Sequence, residues 1–534
     1  MAFAVVATCA LDQWAMDFQG NYERILASCE QARARGARFR LGPELEITGY
    51  GCEDHFLEID TTQHALEVLQ QLLRAGASRD LLCDFGLPVI HRNVRYNCRA
   101  LCLNGRVLAL RPKQALADDG NYRESRWFTR WVKPYQFEMH AFADWPGQDP
   151  VPFGDVFLQL NDVNVGVESC EELFTPDSPH IRLGLAGCEI IANGSGSHHQ
   201  LRKLHTRVEL IRGASQKSGG VYLYSNQNGC DGSRLLFDGC ALVAVNGEVV
   251  AQGKQFSMAD VEVVVAAVDL DSVRAYRCYS ASRGVQAASA PSMPSVKVAW
   301  SLCGLGGHGS GGAPALTRTI VVRYHTPEEE IAMGPAVWLY DYLRRSGASG
   351  FFLPLSGGAD SSSTAAIVYS MCIMLGQAIR NGDAVVRADV ARIMGLPRGA
   401  VPPDDPKALV NAILHTAYLG TSNSSERTAN FAAELARQTG HYHLFADIEP
   451  VISAILALFE RVTGKRPRYK VGGGHYAENQ AMQNIQARFR MVFSYMLAQL
   501  LPWVRRGQDA GYLLVLGRCV RARARLSFRA RKSN

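Results

Sequence analysis

The sequence predicts an α/β protein built of two layered domains, and three observations carry that prediction. From residue 1 to about 290, β-like runs alternate with amphipathic helical segments, a pattern in which helices must cover the faces of a mixed sheet. Two Asn-Gly dipeptides, at 104–105 and 246–247, each separate alternating apolar runs, the strongest short-range hairpin signal. Residues 291–316 are rich in Gly, Pro and Ser and mark a boundary, beyond which a helix-rich pattern begins. The expected organisation is a first domain over 1–290, a linker over 291–320, a second domain over 321–517 and an atypical basic tail over 518–534.

Each element has its own signal. Residues 3–10 read as a strand and 21–36 as a helix ended by Gly36. A second strand runs from 37 through 42 into Pro43-Glu44-Leu45, followed by a helix over 61–76 and a strand over 80–90. The hairpins pair 96–103 with 106–113 and 240–245 with 248–253, because a type I′ turn needs φ > 0 at both central residues. In the second domain, Thr326-Pro327-Glu328-Glu329 is a capping-box start, with Pro at the first helical position. A short buried strand over 350–355 then feeds a helix over 360–375, with further helices over 428–440, 448–464 and 477–504 and a last strand over 511–517.

Composition narrows the class. The 534 residues are 47% hydrophobic and 20% charged, enough apolar content to fill cores and to exclude a mainly disordered chain. No stretch has the ~18 uninterrupted apolar residues of a membrane span, and the N-terminus lacks the basic region of a signal peptide. The 14 Cys show neither CxxC pairs nor zinc spacing, so reduced thiols and a cytoplasmic location are expected. The net charge of +6 misleads, because the last 17 residues hold seven Arg/Lys and no acid, leaving 49 basic against 50 acidic residues elsewhere. Neither nucleic acid nor a membrane is an expected partner.

Three segments of the first domain carry chemistry. GPELEITGYG puts Glu44 at a strand end, Lys113 follows the strand of the first hairpin with Glu124 in the loop beyond, and GVESCEELF sets Cys170 where an apolar strand turns. At such a turn, backbone N–H groups can activate a thiol and hold an oxyanion, while a carboxylate takes the thiol proton and a lysine stabilises the intermediate. Spacing alone leaves open a structural Cys170, a solvated Lys113 and a capping Glu44. Together the strings resemble the nitrilase superfamily of amide-cleaving enzymes, over about residues 4–285. That resemblance implies a four-layer αββα fold, with Glu44 as general base, Lys113 as stabilising cation, Cys170 as nucleophile and Glu124 in support. IIANGSGSHHQLRK resembles the segment of glutamine-using members that holds the amino-acid end, which implies Ser197 and Lys203, joined by Tyr122. A helix-capping Ser197 and a solvated Lys203 remain the alternative from residue type alone. The histidines 198, 199 and 205 lack a carboxylate or Cys at ligand spacing.

The second constellation is Ser356-Gly357-Gly358-Ala359-Asp360-Ser361, between strand and helix. Small residues there let backbone N–H groups approach an anion at a helix N-terminus, and Asp360 can cap the helix or hold Mg²⁺. It is not a Walker A loop. SGGxDS in this setting resembles the pyrophosphatase loop of adenylating amidotransferases, which implies an ATP site of Pro354, Leu355 and 356–361. On that resemblance Ser356 belongs to the catalytic set and Asp360 is the Mg²⁺ ligand. The helix with ENQAMQNIQARFRM is similar to the dinucleotide-substrate helix of NAD⁺ synthetases, with Asn484, Arg488 and Arg490 read as one face at i, i+4 and i+6 for deamido-NAD⁺. A solvated Arg-bearing face is the reading without the motif.

An amidase of the first kind fused to this module resembles the glutamine-dependent NAD⁺ synthetases over about residues 4–517, with a Rossmann-like second domain. The resemblance implies an ATP-dependent ligase with glutamine, ATP and deamido-NAD⁺ as substrates, Mg²⁺ as cofactor, no prosthetic group and a homo-oligomer, with longer chains as candidate partners. After LLVLG the family's later acidic and Gly-Tyr segments do not follow, and the basic tail begins at Arg518. The expectation is therefore an intact glutaminase with an impaired synthetase. A glutaminase-only enzyme and a regulatory isoform are the alternatives.

Overall fold

The computed structural model describes residues 2–143, 145–232, 234–303, 315–422, 424–507 and 511–517, so the basic tail and residues 304–314 of the expected linker lie outside the described residues. The chain divides into two compact units at Glu330/Ile331.

In the first unit, strand Phe3–Leu11 pairs antiparallel with Val261–Asp269 along its whole length and parallel with Phe39–Leu41. From there one limb continues through Leu82–His91, Val94–Leu103 and Arg106–Pro112. The second limb runs Val221–Cys230, Ile190–Ser195, Asn164–Ser169 and Phe157–Gln159. The limbs join where Ala10 and Leu11 meet Asn226 and Gln227. Side chains alternate across the strands. On Phe3–Leu11, Ala4, Val6 and Ala10 face an apolar layer shared with Val167, Ala192, Leu223 and Val243 of the other limb. Ala7, Cys9 and Leu11 face outward onto Ile25, Val68 and Leu69 of helices Phe18–Ala34 and Ile59–Arg74. On the far side, Leu204, Val208 and Ile211 of helix Lys203–Ser218 cover Ile191, Tyr222 and Tyr224. The order is helix, sheet, sheet, helix, as expected for the αββα fold, and each fully buried Leu, Val or Ile contributes roughly 1.5–3 kcal/mol.

Helix Ile59–Arg74 shows why these segments are helical: its buried Ala65, Val68, Leu69, Leu72 and Leu73 recur at i, i+3, i+4, i+7 and i+8. Both Asn-Gly hairpins form, with Asn104 and Gly105 at φ 50° and 79° and Asn246 and Gly247 at φ 50° and 93°.

The described parts of the expected linker differ from a free connection. Ser295–Lys297 pairs with Phe157–Gln159, Leu302 is buried, and Thr317 and Ile320 bond backbone groups of Ala267 and Val249. Alternating Val296, Val298 and Trp300 pack on the first core, and Arg38 lies over the Trp300 ring at 4.5 Å, an apolar pattern that the Gly/Pro/Ser content masks.

The second unit holds four parallel strands in the order Tyr442–Asp447, Leu414–Gly420, Phe351–Pro354, Leu514–Val515. In chain order this is 3-2-1-4, the Rossmann arrangement, whose switch point lies beside Phe351–Pro354. The expected strand over 511–517 contributes two paired residues. Two helices without a sequence expectation, Ala384–Met394 and Pro406–Ile413, lie between the first and second strands. Helix Ala359–Arg380 runs five residues past its expected end and is long and apolar enough in composition to cross a membrane. Here Ala365, Val368, Met371, Cys372, Leu375 and Ile379 are buried within this unit.

Candidate active sites

In the first unit the site is assembled at strand C-termini. Glu44 follows Phe39–Leu41, Lys113 follows Arg106–Pro112, and Cys170 follows Asn164–Ser169. Glu44, Lys113, Glu124 and Cys170 are all buried. Lys113 Nζ donates to Glu44 Oε1 at 2.6 Å and to Glu124 Oε1 at 2.9 Å. Glu44 also accepts from Asn97 Nδ2 at 2.8 Å and from the Gly196 N–H at 3.1 Å, so both carboxylate oxygens are fixed. The loop that carries Glu44 is pinned by Arg99, whose guanidinium donates to the Gly42 and Pro43 carbonyls at 2.7 and 2.8 Å and to Asp84 at 2.8 Å. Gly196 is required by closeness, since a Cβ there would stand 2.6 Å from the Tyr50 ring.

Cys170 opens a short 3₁₀ turn, Cys170–Leu173, at φ 40°, a left-handed conformation that a non-glycine residue adopts only under constraint. The constraint is visible. The Cys170 N–H donates to Asn193 Oδ1 at 2.9 Å, and Glu172 folds back to accept the Ser169 N–H at 2.6 Å. Glu172 also accepts from Arg111 and, at 2.5 Å, from the Gln114 N–H. One buried carboxylate thus ties the nucleophile turn to Arg111 and Gln114, on either side of Lys113.

Electrostatics follow the burial. Burial pushes the Cys170 thiol up, Glu44 adds to this and Lys113 opposes it, so the resting thiol keeps its proton. Burial raises Glu124 to about 7 against the pull of Lys113. Burial pulls Lys113 down, but Glu124, Glu44 and Cys170 outweigh it and hold the ammonium well above its ordinary range.

Tyr122, Ser197 and Lys203 come together beside this centre. Tyr122 Oη donates to the Gly196 carbonyl at 3.1 Å and accepts the His198 N–H at 2.8 Å. Lys203 Nζ donates to the His198 carbonyl at 3.2 Å, 5.6 Å from the Tyr122 ring centre. Ser197 Oγ is buried without a hydrogen-bond partner among the described residues. Tyr122 also lines a small cleft together with Tyr50, Trp127 and Leu235.

Sequence reasoning missed Asn97, Arg111, Glu168, Glu172 and Asn193. Asn193 Nδ2 donates to Tyr222 Oη at 3.1 Å, and Glu168 accepts from the same tyrosine. For three of them the signal was present: Arg111, Glu168 and Asn193 interrupt apolar strand segments, and a buried polar residue must be hydrogen-bonded.

In the second unit the loop Leu355–Gly358 leaves strand Phe351–Pro354 and opens helix Ala359–Arg380. Ser356 Oγ lies 3.1 Å from Ser361 Oγ and accepts the Gly358 N–H at 3.4 Å. Gly357 sits at φ 72°, and a Cβ there would stand 2.0 Å from the Thr428 carbonyl oxygen, so only glycine fits. Asp360 is exposed in the first helical turn. The reading of Asn484, Arg488 and Arg490 as one face is corrected: six residues advance a helix by about 600°, well away from the starting face. Asn484 and Arg488 are exposed, while Arg490 Nε donates to the Leu419 carbonyl at 3.1 Å at the end of its strand. Among the described residues no group of three His, Cys, Asp or Glu forms a metal cluster.

Fold and matches define the class: a carbon–nitrogen hydrolase domain, whose family model matches residues 5–278, joined to an NAD synthase domain, whose family model matches residues 335–509. The chain is 50% identical over 516 residues to the glutamine-dependent NAD(+) synthetase of Rattus norvegicus, covering 96% of this chain and 70% of that protein. The Saccharomyces cerevisiae glutamine-dependent NAD(+) synthetase is 52% identical over 519 residues, covering 96% and 72%. A crystal structure of a glutamine-dependent NAD(+) synthetase from Cytophaga hutchinsonii matches with a TM-score of 0.73 and 26% identity, covering 93% of this chain and 73% of that one. The Acinetobacter baumannii enzyme, solved with ADP, shares the fold at a TM-score of 0.64 and 20% identity, covering 93% and 72%. The chain belongs to the glutamine-dependent NAD(+) synthetase family.

Proposed function

We propose how the two domains divide glutamine-dependent NAD⁺ synthesis. The observation that carries the reading is the buried, mutually hydrogen-bonded Glu44–Lys113–Glu124 cluster at the strand ends that also present the buried Cys170. Cys170 Sγ attacks the carboxamide carbon of glutamine while Glu44 accepts the thiol proton, and the oxyanion forms beside the Lys113 ammonium. Glu44 returns the proton to the leaving nitrogen, ammonia departs, and a γ-glutamyl thioester remains. Water, deprotonated by Glu44, then attacks the thioester, and its collapse frees glutamate and the thiol. Glu124 and Asn97 hold Lys113 and Glu44 in register, and Tyr122, Ser197 and Lys203 receive the amino-acid end. The orphaned hydroxyl of Ser197 supports that last assignment.

In the second domain, the carboxylate of deamido-NAD⁺ attacks the α-phosphorus of ATP, releasing pyrophosphate, and ammonia displaces AMP from the adenylate. Ser356–Ser361 and the helix N-terminus receive the phosphates. Mg²⁺ fits here as an ion carried with the phosphates and water, because Asp360 offers a hard oxygen ligand beside the loop. When bound it neutralises phosphate charge. Asn484 and Arg488, both exposed, are the residues read as contacting the dinucleotide, and Arg490 bonds the strand end. Self-association is part of the reading, supported by Met491, Val492, Tyr495 and Trp503 exposed along helix Tyr476–Arg506. A reducing, cytoplasmic setting suits the 13 described cysteines, all of them free.

The glutaminase-only alternative is not favoured, because both family models match. The test is Cys170→Ala: glutamine-driven NAD⁺ formation and glutamate release should fall at least about 10⁴-fold. NAD⁺ formation from ammonium should stay at whatever rate the parent chain shows. Glutamate release at the parent rate by this variant would overturn the assignment.

A further inference from the structure

The segment Ser197–Lys203, which presents the proposed glutamine ligands, is held in a strained conformation by a residue from far along the chain. Arg202, immediately before helix Lys203–Ser218, has φ 67°, a left-handed conformation that an ordinary residue adopts only when held there. Its backbone N–H donates to Glu330 Oε2 at 2.9 Å, and its guanidinium donates to the His325 carbonyl at 2.9 Å and approaches His205 Nε2 at 2.8 Å. Glu330 is 2% exposed, a carboxylate taken out of water to make this contact. His199, on the same segment, places Nε2 3.9 Å from Glu330 Oε2 and Nδ1 3.7 Å from Asp238 Oδ2. A buried carboxylate needs polar partners, and here they are the Arg202 N–H and, 3.8 Å from Oε1, the Arg202 guanidinium, between the two proposed ligands.

We propose that Glu330 is a positioning residue for glutamine. It clamps the backbone at Arg202, so that the Ser197 hydroxyl and the Lys203 ammonium stay directed at the substrate's amino-acid end. Glu330 lies in the first turn of helix Pro327–Ser346, so the glutamine segment is fastened to the start of the helix that carries the chain onward from the amidase unit. Glu330 touches no reacting atom, and its signature is therefore in KM, with kcat preserved. The inference rests on the assignment of Ser197 and Lys203 as glutamine ligands.

Steady-state glutamate release by the whole chain tests it. Glu330→Ala should raise KM for glutamine about tenfold with kcat within twofold, the loss expected for one hydrogen bond to a charged group. Glu330→Gln, which keeps an acceptor oxygen for the Arg202 N–H and avoids a cavity, should raise KM about twofold. Arg202→Gly added to Glu330→Ala should recover most of the loss, because glycine adopts the left-handed conformation unaided. An unchanged KM in Glu330→Ala, a fall confined to kcat, or no recovery by Arg202→Gly would each overturn the proposal. Ser197→Ala separates the two readings: its KM rises if the ligand assignment holds, whatever Glu330 does.

Discussion

The two sites differ in how much of their geometry the chain supplies before any ligand arrives. In the amidase unit the reacting groups are buried, and Glu44, Lys113 and Glu124 hold one another within 2.6–2.9 Å. In the synthetase unit the loop residues Ser356, Gly358 and Asp360 are exposed, and Ser356 bonds within the loop and to Ser361 of the adjoining helix turn. The difference matches the chemistry. Covalent attack by a neutral thiol needs a base and a cation fixed beforehand, because the protein must supply the electrostatics that water would otherwise provide. Phosphate chemistry draws its charge from the nucleotide and its metal, so the chain needs chiefly a backbone cradle of the right shape. One site is wired by side chains and the other is shaped by backbone, and substitutions should divide along that line.

The largest effect expected from a residue that does not itself react is at Glu172. Its carboxylate joins Ser169, Arg111 and Gln114, and so sets the distance from the nucleophile turn to Lys113. Glu172→Gln should lower kcat for glutamate release about 100-fold, the cost of roughly an ångström of misplacement, with KM for glutamine nearly unchanged. Breaking a buried ion pair should also lower stability by about 3–5 kcal/mol, so the rate is read per folded molecule well below the melting transition. A variant that melts early yet turns over at the parent rate would make Glu172 purely structural.

The corresponding substitution on the backbone-shaped side is Gly357→Ala. The added Cβ meets the Thr428 carbonyl oxygen at 2.0 Å in a left-handed conformation, and neither backbone can yield cheaply. KM for ATP in ammonium-driven NAD⁺ formation should rise about tenfold, while glutamate release stays at the parent rate. A Gly357→Ala chain with unaltered ATP dependence would remove the cradle from this loop.

What the sequence made legible tracks local physics. Strands, hairpins and the SGGADS turn follow from alternation and from glycine's dihedral freedom, and Glu44, Lys113 and Cys170 stand at strand ends where a motif is short and contiguous. What the pattern does not show for Asn97, Glu172 and Asn193 is their partners, which lie 53, 58 and 23 residues away in sequence, and a long-range hydrogen bond leaves no periodic trace. The packed linker was obscured for the opposite reason: Gly, Pro and Ser describe a flexible segment locally, while Val296, Val298 and Trp300 find their core only in the folded chain. Arg490 was misplaced by reading i+6 as one face, an error of helical arithmetic rather than of chemistry.

The remaining effect is on stability rather than rate; it concerns acid and touches both units. Burial, reinforced by His91, lowers His140 to about 4, and burial, reinforced by His443, lowers His441 to about 4. An unfolded histidine titrates near 6.5, so between pH 6.5 and 4 the unfolded chain binds protons that the folded chain refuses. Stability is therefore fully present above about pH 6.5 and is lost progressively as the pH falls toward 4, by about 3 kcal/mol for each group. His140 Nδ1 lies 3.1 Å from His91 Nδ1, so a second proton on that pair meets repulsion as well as burial, whereas His441 Nδ1 pairs with the Thr439 hydroxyl at 2.7 Å. Melting curves from pH 8 to 4 should show the loss, and His140→Phe should remove its share of the amidase unit's part, the buried His198, lowered to about 3, supplying more of it. A melting temperature independent of pH across that window would mean that these rings charge freely in the fold.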